Sequence, residues 1–263
     1  MKVLVLGGSG YIGTAVVERL RAAGHRPVVL ARKPDRAPEG VPARTGDLTD
    51  PDRLRAILTP DIDAVVHAAT PTGNWDTDLA ALAVMTDALA GRTLVYLSGV
   101  WVLGATTDPV DESAPANPIE IVSGRPRLED HVLDATKLRG VVIRPGIVHG
   151  AGGGIPGMMI DWARAARTGR YVGEPTVRWP MVHRDDLADL VVLAVDRAPA
   201  GNGAARRRRT RSGHKGIGRR GRPRSRRQRG SASVGRARRG ERARRTVRRS
   251  PGTAPGGHGE CRG

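Results

Sequence analysis

A single cysteine, Cys261, stands in the 263 residues, so no disulfide framework can form within the chain. That fits a reducing compartment, and a cytoplasmic protein is expected. No apolar run approaches the roughly 20 residues of a membrane span; residues 190–195 form the longest late one. The apolar run at the N-terminus leads into a glycine turn and not into a cleavage site, which argues against a signal peptide. No His, Cys and Asp spacing resembles a metal site, so no metal is expected. Aliphatics larger than alanine are almost missing from residues 204–263, where only Ile217, Val234 and Val247 occur.

That last scarcity divides the chain. Residues 204–263 hold 21 arginines, Lys215 and two acids, Glu241 and Glu260, a charge of +20. The whole chain carries +18, so residues 1–203 carry −2, and the overall charge says nothing about the folded part. The basic segment cannot bury enough apolar surface to offset an ordering entropy of roughly 1–2 kcal/mol per residue, and disorder is expected there. It could neutralise nucleic-acid phosphates, but it has no aromatics for base stacking. Its Arg, Gly, Ala, Pro and Ser all have GC-rich codons, so a shifted reading frame is the favoured reading over a nucleic-acid arm. Two regions follow: a folded domain over 1–203 and an Arg-rich tail over 204–263.

The organising stretch is the first thirteen residues. An apolar run over 3–6 suits a buried parallel strand. It ends in Gly7-Gly8-Ser9-Gly10-Tyr11-Ile12-Gly13, after which Ile12, Val16 and Leu20 recur at helical spacing. Strand, glycine turn and helix give a Gly-x-x-Gly-x-x-Gly signature its meaning. Gly7 permits the tight turn, Gly10 lets backbone approach a pyrophosphate, and Gly13 allows helix and strand to meet. The helix N–H groups would face the phosphates. This predicts a dinucleotide site, with Tyr11 and Ile12 inside its turn.

Strands are predicted at 27–31, weakly at 41–45, and at 61–69, 93–97 and 140–144. Helices are predicted at 51–58, 75–90, 128–138, 155–168 and 187–195, the last entered through the acids of His183-Arg184-Asp185-Asp186. The alternation argues for a doubly wound parallel α/β sheet of Rossmann type. After the second strand come Ala31, Arg32 and Lys33, with no acid before Asp35. Cations there suit a ribose 2′-phosphate, so NADP(H) is preferred, with NAD(H) the alternative. Ala68 and Ala69 close a strand where a cofactor could lie near the backbone. His67 reads as hydrogen-bonded structure, and His131 with Asp134 as a solvated helix face. A polar role beside the substrate is open for His149.

In order, Gly7-x-x-Gly10-x-x-Gly13, Gly46-Asp47-Leu48, His67-Ala68-Ala69, residues 96–104 (YLSGVWVLG), Asp111-Glu112, residues 144–150 (RPGIVHG) and residues 182–188 (VHRDDLA) resemble the extended short-chain dehydrogenase/reductases. Within these the chain is similar to the NAD(P)-dependent epimerase/dehydratase group over about residues 1–200. The resemblance implies an oxidoreductase or epimerase acting on a nucleotide-sugar or small carbonyl compound. It places Asp47, beside Leu48, near the adenine and Ala68 and Ala69 along the cofactor crevice. It also implies a Ser/Thr with a Tyr-x-x-x-Lys pair, and here those positions hold Gly99, Ile121 and Arg125. Isoleucine exchanges no proton and arginine is not a base. Ser98, adjacent to Gly99, and Arg125 are the candidate substrate-proximal residues. The family's C-terminal substrate region would continue past residue 203, and its absence would uncover apolar surface near Leu190 and Val192. A non-catalytic NADP-binding sensor is the second reading and nucleic-acid binding through the tail the third. A homo-oligomer is compatible with all three.

Overall fold

The computed structural model describes residues 1–106, 108–169 and 178–197. The Arg-rich tail, Cys261 and Tyr171 lie outside these. In chain order the elements are β1 (Lys2–Leu6), α1 (Tyr11–Ala22), β2 (Arg26–Ala31), β3 (Ala43–Thr45), α2 (Pro51–Ile57), β4 (Ala64–His67), α3 (Trp75–Ala88), β5 (Thr93–Leu97), α4 (Arg125–Asp134), β6 (Arg139–Ile143), β7 (Ile147–Gly150), α5 (Gly154–Ala166), β8 (Met181–His183) and α6 (Arg184–Asp196).

Six strands form one parallel sheet in the order β3-β2-β1-β4-β5-β6. This is the doubly wound order, and it reverses direction between β1 and β4, where such folds open a ligand crevice. Strand residues alternate between two apolar layers: Val3 and Val5 join the layer under α1 and α6, while Leu4 and Leu6 join the one under α2, α3 and α4. Leu4, Leu6, Leu20, Leu82 and Leu94 are fully buried, each worth roughly 1.5–3 kcal/mol of transfer free energy.

Local chemistry explains the element ends. The Asn74 side chain accepts from the N–H groups of Asp76 and Thr77 and starts α3, and Asp50 does the same for α2 through Arg53. β4 is shorter than expected from the apolar run because the residues before it turn to the chain start. Asp63 accepts the Lys2 N–H at 2.6 Å, and Asp61 pairs with the Lys2 ammonium. The fourth helix begins at Arg125, not at Leu128, since Pro126 suits a first helical turn, and it stops at Asp134. β7 and β8 form a separate parallel pair that the sequence reading did not anticipate.

The bare apolar surface expected near Leu190 and Val192 is found at their neighbour Leu193, which is exposed, and not at those two residues. Val192 is buried and Leu190 packs against the same core. Exposed apolar side chains also gather on α5, at Met158, Met159, Ile160 and Trp162, and at Trp179 and Met181.

Candidate functional site

The turn after β1 is shaped by what cannot stand there. Gly7 has φ +77°, and a Cβ on it would lie 2.6 Å from the backbone of Ala69 and 2.8 Å from that of Ala68. The chain leaving β4 therefore presses directly on this turn, and only glycine meets both demands. A Cβ on Gly13 would stand 2.0 Å from the Gly7 carbonyl oxygen, so the helix start sits on the turn itself. Gly10 donates its N–H to that same oxygen at 2.9 Å and caps α1 without any side-chain bond. First-turn N–H groups of α1 thus stand at the switch point between β1 and β4, available to an anion.

Two residues of this turn have other employment for their side chains. Ile12 packs partly into the core, so only its backbone is available to a ligand. The Tyr11 hydroxyl donates to the Gly150 carbonyl at 2.7 Å, and its ring lies against Gly153 and Gly154. Burial raises its pKa against the pull of Arg184, whose guanidinium sits 5.6 Å from the ring centroid. Tyr11 therefore ties the turn to the loop before α5. Gly8, which sequence reasoning passed over, is crowded in the same way: a Cβ would lie 2.7 Å from Val29.

At the far end of the crevice, Gly46 donates its N–H to Ala31, bringing the exits of β2 and β3 together. Asp47 accepts from the Thr49 N–H and hydroxyl, both at 3.0 Å, and the backbone bond leads in holding its pKa below the usual carboxylate value. The Arg32 side chain is 82% exposed, with Nε 4.0 Å from the Asp47 carboxylate. Such an exposed pair is weak, which leaves the guanidinium available to another anion. Leu48 packs against the core below.

Near the carboxyl end of β5 the structure brings Ser98 and Arg125 into one neighbourhood. Ser98 donates its N–H to Ile143 at 2.8 Å, extending the sheet, while its buried hydroxyl has no partner. Arg125 reaches back from the start of α4 to donate to the Leu97 carbonyl at 3.4 Å, and its buried Nε is also unpartnered. Gly99 is extended and a Cβ there would meet nothing within 4 Å. Ile121 sits on a short 3-10 turn, 72% exposed. Beneath them the buried Glu129 carboxylate takes a bidentate pair from Arg144.

The remaining candidates are sorted by their surroundings. Tyr96 is buried and its phenol is pushed up to about 12, so it holds its proton near neutral pH. His67 packs edge-on against Tyr96; a backbone hydrogen bond acts on its ring, as expected of a structural histidine, while its Nδ1 has no partner. Burial lowers its pKa to about 4 and keeps it neutral. The His131 ring lies 3.1 Å from the Thr86 hydroxyl, so it is not simply solvated. His183 accepts the Asp185 N–H and caps α6, as expected of helix-start structure, and His149 packs edge-on against it. Among the described residues no three His, Cys, Asp or Glu side chains are grouped to hold a metal ion. No described helix is long and apolar enough to cross a membrane.

Residues 3–205 match the sequence model of the NAD dependent epimerase/dehydratase family. The chain is 36% identical to the 2'-dehydrokanamycin reductase of Streptomyces kanamyceticus over 75% of its own length and 59% of that protein's. Human epimerase family protein SDR39U1 (isoform 2), solved with NADPH, superposes with a TM-score of 0.57 at 29% identity, covering 75% of this chain and 71% of that one. The fold also matches the UDP-glucose 4-epimerase of Thermus thermophilus, solved with NAD. That match has a TM-score of 0.60 at 22% identity and covers 74% of each chain.

Proposed function

The chain belongs to the NAD dependent epimerase/dehydratase family, and from that premise we propose that it binds NADP(H) and acts on a nucleotide-sugar or small carbonyl substrate. The observation that carries this reading is the crowding at Gly7 and Gly13. Backbone from β1, β4 and α1 converges so closely that no side chain fits, leaving bare N–H groups at the sheet's switch point. Those residues fit a dinucleotide: Gly10, Tyr11, Ile12 and Gly13 offer backbone to the pyrophosphate, Ala68 and Ala69 line the crevice, and Asp47 with Leu48 stands toward the adenine. A bound nicotinamide would supply or accept hydride. Ser98 and Arg125 would hold the substrate oxygen, with Arg125 furnishing charge but no proton.

Arg32 supports NADP(H) over NAD(H), because the strand end carries cations in place of an acid and its guanidinium is weakly engaged. The SDR39U1 structure contains NADPH, which agrees with that preference. Calorimetric titration of the full chain with NADPH and NADH tests the assignment. Arg32→Asp is expected to weaken NADPH roughly tenfold or more relative to NADH, since a bidentate charge-assisted contact is lost and a like charge introduced. Unchanged relative affinities would remove Arg32 from the 2′-phosphate role.

A second reading, a cofactor-binding protein without turnover, is favoured by Gly99, Ile121 and Arg125 standing where the family places its proton-transfer group. Hydride transfer to a panel of carbonyl compounds, measured beside cofactor binding, separates the two. Binding without transfer supports the sensor, and transfer supports the enzyme.

A further inference from the structure

Buried polar atoms without partners are rare, because each has lost water and gained nothing for it. Three of them, His67 Nδ1, Ser98 Oγ and Arg125 Nε, are gathered at one place. His67 closes β4 and pairs in register with Tyr96 of the neighbouring strand, Ser98 stands two residues beyond Tyr96, and Arg125 reaches to Leu97 between them. The guanidinium also lacks a counter-ion among the described residues. Glu129, one turn along the same helix, is held by Arg144, and Asp78 accepts the Thr72 N–H at 3.0 Å. Tyr96 keeps its proton and His67 stays neutral, while Arg125 and the buried Asp78 carboxylate both act on the two rings, so Arg125 is the cation of this pocket.

Resting on the substrate crevice proposed above, we infer that this pocket takes a carboxylate of the substrate, with Arg125 as its counter-ion and the Ser98 hydroxyl as a second donor. The substrate is then a carbonyl compound or sugar that carries an acid group. A neutral substrate would leave the half-buried guanidinium with no direct ion pair, whereas a carboxylate gives it one and gives the Ser98 hydroxyl an acceptor.

The test is calorimetric titration of the full chain with malonate, with uncharged malonamide as control, both alone and with saturating NADPH. Malonate binding is expected in both conditions and malonamide binding in neither. Arg125→Gln is expected to weaken malonate roughly tenfold, Arg125→Lys less, and Ser98→Ala by a smaller factor, with NADPH affinity retained in the Ser98 variant. Near-UV circular dichroism checks that each variant is folded. Failure of malonate to bind overturns the inference, as does equal binding by Arg125→Gln. Loss of malonate when NADPH is added also overturns it, since the pocket would then belong to the cofactor. If NADPH does not bind while malonate depends on Arg125, the cofactor assignment falls and the anion pocket stands.

Discussion

The imidazole of His67 is sealed between β4 and β5 with 5% of its surface exposed, and burial holds its pKa at about 4. Asp78 acts against that shift and Arg125 with it. In the unfolded chain the same ring takes a proton near pH 6.5. Between pH 6.5 and 4 the unfolded state therefore binds a proton that the folded state refuses. The contribution of His67 to stability is complete above pH 6.5 and is lost as the pH falls toward 4, by about 3 kcal/mol at most. His67→Asn is expected to flatten the dependence of melting temperature on pH across that window. Profiles of equal slope for the two proteins would show that the ring titrates normally. Arg144 and Glu129 show the opposite arrangement at residue scale: two buried charges satisfy one another, and removing one partner of such a pair typically costs about 3–5 kcal/mol.

At the scale of elements, short apolar runs and caps were legible from residue types alone. β1, β5 and the glycine turn follow directly from their residues, and α3 starts where Asn74 can cap it. The β7–β8 pair was not legible, because its strands are four and three residues long and more than 30 positions apart. The meeting of Arg125 with the end of β5 was legible only through the family resemblance, which named Ser98 and Arg125 together: it depends on how the loop through Gly99 and Ile121 folds back, and no local pattern records that. That loop carries a further prediction. Gly99 has open space for a side chain, and Ile121 is exposed enough to be replaced without disturbing packing. On the positions the resemblance implies, the triple variant Gly99→Ser, Ile121→Tyr, Arg125→Lys would restore the family's proton-transfer group. Carbonyl reduction, followed by loss of dihydronicotinamide absorbance, is expected to rise roughly 10²–10⁴-fold, the usual contribution of a positioned general acid. Unimproved turnover in a variant that still binds NADPH would mean that this loop does not hold those side chains over the substrate.

At the scale of the whole molecule, opposite charges belong to different stretches of chain: −2 over residues 1–203 and +20 over 204–263. The family match ends at residue 205, where the composition changes, and the chain spans 59% of the length of the kanamyceticus reductase. The two stretches are therefore expected to respond to salt independently. Binding of DNA or RNA, if it occurs, arises from arginines releasing condensed counter-ions, so its logarithm falls linearly with the logarithm of salt concentration. On the reading proposed above, NADPH would contact the folded stretch through backbone N–H groups and one guanidinium, and its affinity is expected to change far less over the same range. Titrations of the full chain with duplex DNA and with NADPH at several salt concentrations are expected to give a steep slope for the first and a shallow one for the second. A chain ending at residue 203 is expected to lose the DNA signal and keep both its melting temperature and its NADPH affinity. If that shorter chain still binds DNA with the same slope, the charge on the tail is irrelevant to the contact. A nucleic-acid surface would then have to be sought on the Rossmann domain itself.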